Sequence, residues 1–132
     1  MTFKKRKIVA IVEKTNTGFS AFAVDYPAFT TGKTISELSK NIVEALNLYF
    51  EDDEIHITQK SINFEIDLKQ FFQHYRVINS KFLAERIGMN PALLSQYVQG
   101  RKKPSAQQTE KILKGINEIG RELSELSLVT RD

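Results

Sequence analysis

The stretch Asn79–Ser105, NSKFLAERIGMNPALLSQYVQGRKKPS, reads as two short helices joined by a tight turn. Asn79 suits a helix N-cap, because its side-chain oxygen accepts from a backbone N–H that the first turn leaves unpaired. Phe82, Leu83, Ala84 and Ile87 then recur at the spacing of one buried helical face, and Gly88 ends the helix with a residue tolerant of positive φ. Asn90 caps the next helix, and Pro91 takes its first position, where a missing N–H costs nothing. The second helix is predicted to run to about Gln99 and to stop at Gly100.

Around this stretch, 132 residues allow one ordinary domain or two small ones, and 41% hydrophobic with 27% charged residues belongs to a globular chain, not a disordered one. With no cysteine, disulfides, thiol catalysis and cysteine-based zinc sites are excluded, in keeping with a reducing compartment. The basic start Met1–Lys7 is followed by an apolar segment of only Ile8 to Val12, too short for a signal-peptide core. No apolar run approaches a membrane span, so a cytoplasmic protein is expected.

The net charge of +3 is unevenly spread. Residues 1–70 carry 9 basic and 10 acidic side chains, residues 71–132 carry 10 and 6, and between Arg76 and Lys114 the count is 8 and 2. A local excess of that kind is expected of a surface that faces phosphates, although a solvated basic helix has the same composition.

The N-terminal half carries a different pattern. Lys5 to Glu13 alternates, with Ile8, Ala10 and Val12 on one face; the turn Asn16-Thr17-Gly18 leads into a second run, Phe19 to Asp25, and the two predict an antiparallel hairpin. Thr34-Ile35-Ser36-Glu37 forms a capping box for a helix over Ile35 to about Phe50, with Ile35, Leu38, Ile42, Leu46 and Tyr49 on one face. Ser61 to Leu68 alternates strictly and predicts a returning strand, and Ile55 with Ile57 suggests a further short one. The whole is predicted to be α+β: a small hairpin, helix and strand domain over residues 1–67, then an all-α domain over 68–132 whose first helix starts at Leu68.

Phasing the helix that starts at Pro91 separates two faces. Leu94, Tyr97 and Val98 turn inward, while Pro91, Ala92, Ser95, Gln96 and Gln99 turn outward. The outward face is polar but uncharged, which suits the major groove: Gln96 matches the paired donor and acceptor of adenine, Ala92 a thymine methyl, and Ser95 several base edges, with Leu93 within reach. Ser80, Gln99, Arg101, Lys102 and Lys103 are expected to hold phosphates, which sets register without reading sequence.

Past Ser105, Ile112, Ile116, Ile119, Leu123 and Leu126 recur at alternating steps of four and three, a seam of two heptads. The seam predicts either dimerisation or packing on its own domain, and Gly115 and Gly120 mark places where the helix can split.

Two resemblances follow from these residues. Leu83-Ala84, Gly88, Leu94, Gly100 and Lys103-Pro104-Ser105 resemble the phage-repressor (Xre-like) helix-turn-helix family. The stretch Gly18–Asp53, GFSAFAVDYPAFTTGKTISELSKNIVEALNLYFEDD, resembles the HicB family of antitoxins, with Asn41, Glu44, Ala45, Leu46 and Tyr49 in register with that family's helix. The resemblance implies an N-terminal domain similar to a truncated ribonuclease H fold that binds and blocks a small HicA-type, mRNA-cleaving toxin. It implies a C-terminal domain that binds a double-stranded operator as a homodimer or higher homo-oligomer. On that reading the acidic run Glu51-Asp52-Asp53-Glu54, placed against the negative pole of its helix, steers a basic toxin; otherwise it is a solvated helix end.

No enzymatic role is expected. Ribonuclease H chemistry needs several carboxylates converging on metal ions, and Asp25 and Glu13 are the only acids in the first two strands. His56 and His74 stand alone in sequence, no Gly-rich phosphate loop is present, and no catalytic residue, metal site or cofactor is assigned. The alternative to an antitoxin is a stand-alone transcriptional regulator whose N-terminal domain senses a ligand or dimerises.

Overall fold

Alternating apolar residues build the first element, strand β1 (Ile8–Lys14), whose Ile8, Ala10 and Val12 are buried. It pairs antiparallel with β2 (Phe19–Ala23) through a hairpin in which the Thr15 N–H donates to the Gly18 carbonyl at 2.9 Å. The structure, a computed structural model, describes residues 7–128, so Met1 to Arg6, with the basic Lys4, Lys5 and Arg6, lie outside it. Strand β3 (Phe29–Gly32) pairs antiparallel with β2, and β4 (Ile62–Ile66) pairs parallel with β1, giving one mixed sheet in the order β3-β2-β1-β4.

Helix α1 (Ile35–Tyr49) covers one face of that sheet. Thr34 caps it as the sequence predicts, its hydroxyl accepting from the Glu37 N–H at 3.1 Å. Leu38, Ile42 and Leu46 are fully buried against Ile8, Ala10, Val12, Ala21 and Ala23. Small side chains on β2 let the helix sit close to the sheet, and Gly32 abuts its first turn, where an added Cβ would lie 2.5 Å from the Leu38 nitrogen. The ends of the expected apolar face, Ile35 and Tyr49, are exposed; Tyr49 stacks with Phe50 and Tyr26 at the rim.

One strand was not foreseen, and two expectations need correction here. Strand β3 falls in a Thr-rich segment of four residues, too short to show alternation. Ile55 and Ile57 do not form a strand: the Asn47 side chain takes the place of a neighbouring strand, accepting from the Ile57 N–H at 2.7 Å and donating to its carbonyl at 2.9 Å. Helix α2 (Leu68–His74) forms as predicted, but the chain divides into two compact units between His74 and Tyr75, so α2 belongs to the first unit instead of opening the second. The reason is visible at Gln70, whose side-chain amide accepts from the Lys14 N–H at 2.8 Å and donates to the Lys14 carbonyl at 2.7 Å. With β4 finished at Ile66, Gln70 supplies the next rung along β1.

The second unit holds α3 (Ser80–Ile87), α4 (Pro91–Val98) and α5 (Ala106–Ser124). Leu83, Ala84, Met89, Leu94, Tyr97 and Ile112 are buried in it. Gly115 and Gly120 do not split α5. Gly115 is buried where α5 meets α3, and a Cβ there would stand 2.3 Å from Cγ2 of Ile87. The chain is thus α+β, with a four-stranded mixed sheet and five helices among the described residues. No described helix is long and apolar enough to cross a membrane.

Candidate nucleic-acid interface

Hydrogen bonds at both ends of α3 and α4 hold the pair. Asn79 accepts from the Phe82 N–H at 3.2 Å at the start of α3. At its end Gly88 sits at φ 71, its N–H reaching the Glu85 carbonyl, while the Met89 N–H reaches the Ala84 carbonyl at 2.9 Å. That is a Schellman closure, completed by the burial of Met89 just beyond the glycine. One residue later Asn90 accepts from the Ala92 N–H at 2.8 Å, with Pro91 at the first helical position.

Helix α4 closes in the same way. Gly100 lies at φ 75 with its N–H on the Tyr97 carbonyl at 3.1 Å, and the Arg101 N–H reaches the Gln96 carbonyl at 2.9 Å. Left-handed glycines therefore end both helices sharply, and the second delivers Arg101, Lys102 and Lys103 directly to the surface, all three exposed.

The faces of α4 divide as the phasing predicts. Leu94 and Tyr97 are buried and Val98 is half-buried, whereas Pro91, Ala92, Gln96 and Gln99 are exposed and Leu93 and Ser95 half-buried. The exposed face thus holds a methyl, an unengaged carboxamide and a hydroxyl, with no charge of its own, flanked by a cationic run. Hydrogen-bond donors and acceptors inside a basic rim are what base-edge readout in the major groove requires. Ser80 is half-buried in the first turn of α3, where the helix N-terminus favours an anion.

One side chain departs from its expected face. Phe82, expected in the buried face of α3, is 61% exposed, because α3 turns Leu83 and Ala84 inward. Gln99 is exposed, and its Nε2 donates to the Ser95 Oγ at 3.2 Å, one helical turn back on the same face. The i,i+4 spacing of the two residues was the available signal.

In the first unit, Glu51, Asp52 and Asp53 form a single 3-10 turn after α1, followed by Glu54 at φ 55, and all four are exposed. The left-handed Glu54 turns the chain away from the helix, and the four carboxylates face solvent. His56 is exposed in the following loop and His74 half-buried at the end of α2. Among the described residues no three His, Asp or Glu side chains are grouped so as to hold a metal ion. No protein-family model matches the chain, and no curated protein matches it.

Proposed function

We propose that this chain is an antitoxin and autorepressor of the HicB type. Its helix-turn-helix unit binds a double-stranded operator as a homodimer, and its N-terminal α+β unit masks a small, basic, mRNA-cleaving toxin of the HicA type. The carrying observation is the exposed face of α4, where Ala92, Ser95 and Gln96 stand beside Arg101, Lys102 and Lys103. In this reading Pro91, Ala92, Leu93, Ser95 and Gln96 meet base edges, while Ser80, Arg101, Lys102 and Lys103 meet phosphates.

Support for the toxin-binding half lies in the first unit. It consists of the HicB-like stretch Gly18–Asp53, which folds here as β2, β3 and α1, and the exposed acids Glu51 to Glu54, a surface of the right sign for an RNA-binding partner. A search for a short, basic reading frame beside this one, and co-expression of the full chain with its product, test the function. A complex that co-purifies and restores growth supports the antitoxin; no complex and no rescue, with operator binding intact, leaves a stand-alone regulator.

A further inference from the structure

The two edges of the sheet are unlike. At one edge β4 carries Asn63 and Glu65, and a charge within an edge strand keeps other chains from pairing with it. At the other edge β3 consists of Phe29, Thr30, Thr31 and Gly32, with no charge and no proline among them.

The phase of the ladder shows which backbone groups of β3 are free. The Ala23 N–H donates to the Ala28 carbonyl at 3.0 Å, and bonded pairs recur at every second residue of an antiparallel ladder. Ala21 and Thr30 therefore bond to each other, while Phe29 and Thr31 turn their N–H and carbonyl groups away from β2. The Thr31 carbonyl accepts from the Asn41 side-chain amide at 2.8 Å. Both backbone groups of Phe29 and the Thr31 N–H have no partner among the described residues.

A strand added along this edge sets its alternate side chains on opposite faces of the sheet. On the α1 side lies a shallow groove of about 670 Å3, lined by Thr30, Asn41, Glu44, Leu48 and Glu51 among others. Glu44 is exposed there with no cationic partner among the described residues, and Glu51 begins the acidic run at the groove's end. On the opposite face Phe29 is 65% exposed and stands beside Phe22 of β2, which is 39% exposed. One face of the edge thus offers carboxylates and the other aromatic rings.

We propose that the free edge of β3 takes up an extended segment of a partner in which basic and apolar residues alternate, the basic ones facing Glu44 and the apolar ones Phe29 and Phe22. Main-chain bonds to Phe29 and Thr31 supply affinity, and the two unlike faces fix which side chains point where. The proposal deepens the antitoxin reading and rests on it for the partner being a basic toxin, but the site is tested with a synthetic peptide.

A short labelled peptide alternating Lys and Val is titrated with the full chain, beside one of the same composition whose lysines and valines stand in separate blocks. The alternating peptide is expected to bind at least about tenfold more tightly and to slow hydrogen exchange at the Phe29 and Thr31 amides. Thr31→Pro removes an outward N–H and spares the ladder with β2, so it is expected to abolish the difference between the peptides. Glu44→Lys is expected to reverse the charge preference, so that a peptide alternating Glu and Val binds in place of the lysine one.

Equal binding of the two lysine peptides, or none, overturns the proposal, as does unchanged exchange at Phe29 and Thr31 or a Glu44→Lys chain that still prefers lysine. Should Thr31→Pro fail to fold by circular dichroism, the exchange data and Glu44→Lys decide. Failure here while the co-expressed toxin still binds would remove this edge and leave the antitoxin reading standing. Peptide binding with no toxin complex would keep the edge and remove that reading.

Discussion

Gln99 donates from Nε2 to the Ser95 hydroxyl at 3.2 Å, across one turn of the exposed face of α4. With its oxygen engaged as acceptor, the Ser95 hydroxyl keeps its proton for an outside acceptor, such as guanine N7 or thymine O4. Selection from a randomised duplex pool is expected to show Gln99→Ala and Ser95→Ala relaxing the same base position. Gln99→Ala weakening all duplexes alike would instead assign Gln99 to the phosphates, as the sequence reading expects.

Replacing Gly115 with Ala is expected to destabilise the second unit although Ala is the better helix former. Helix propensity favours Ala by about 1 kcal/mol. The new methyl, however, would stand 2.3 Å from the Ile87 Cγ2, and overpacking of this kind costs about 1–3 kcal/mol. Urea unfolding followed by circular dichroism measures the balance, and a midpoint at or above that of the parent chain contradicts the packing described here.

Gln70→Ala is expected to destabilise the N-terminal unit by about 1–3 kcal/mol, because it leaves the partly buried Lys14 N–H and carbonyl without the amide that pairs with them. Hydrogen exchange provides the sharper reading. Protection of the Lys14 amide should fall in Gln70→Ala, and unchanged protection would mean that Gln70 is not a rung of the sheet.

Much of this is legible in the sequence. Residue types with one dominant local use announced the helix ends: Asn79, Asn90 and Thr34 as caps, Gly88 and Gly100 as stops, Pro91 as a first helical residue. What escaped were features set by distant partners. The Gln70 bond to Lys14 spans the sheet, Asn47 ties down Ile57, and β3 exists because β2 offers it an edge, not because its own four residues insist on a strand. Phe82 misled for a related reason: its spacing from Leu83 allows either side of the helix, and the outcome depends on where α5 lies.

The acidic run yields a kinetic prediction. On the antitoxin reading proposed above, changing Glu51, Asp52, Asp53 and Glu54 together to Gln or Asn is expected to slow association with a basic toxin and flatten its salt dependence, leaving dissociation nearly unchanged, because exposed charges steer encounters more than they hold complexes. An association rate identical to that of the parent chain, at low salt, would assign the run to solvent alone.

The central claim is that α4 reads base edges while the basic run after it holds phosphates, and titration of the full chain against its selected duplex and a scrambled one, at several salt concentrations, tests it most directly. Gln96→Ala is expected to lose about 1–3 kcal/mol on the selected duplex only, whereas Lys102→Ala should weaken both duplexes and lower the salt slope by about 1. Equal affinity of the parent chain for the two duplexes, or a Gln96→Ala loss that ignores sequence, would contradict the account.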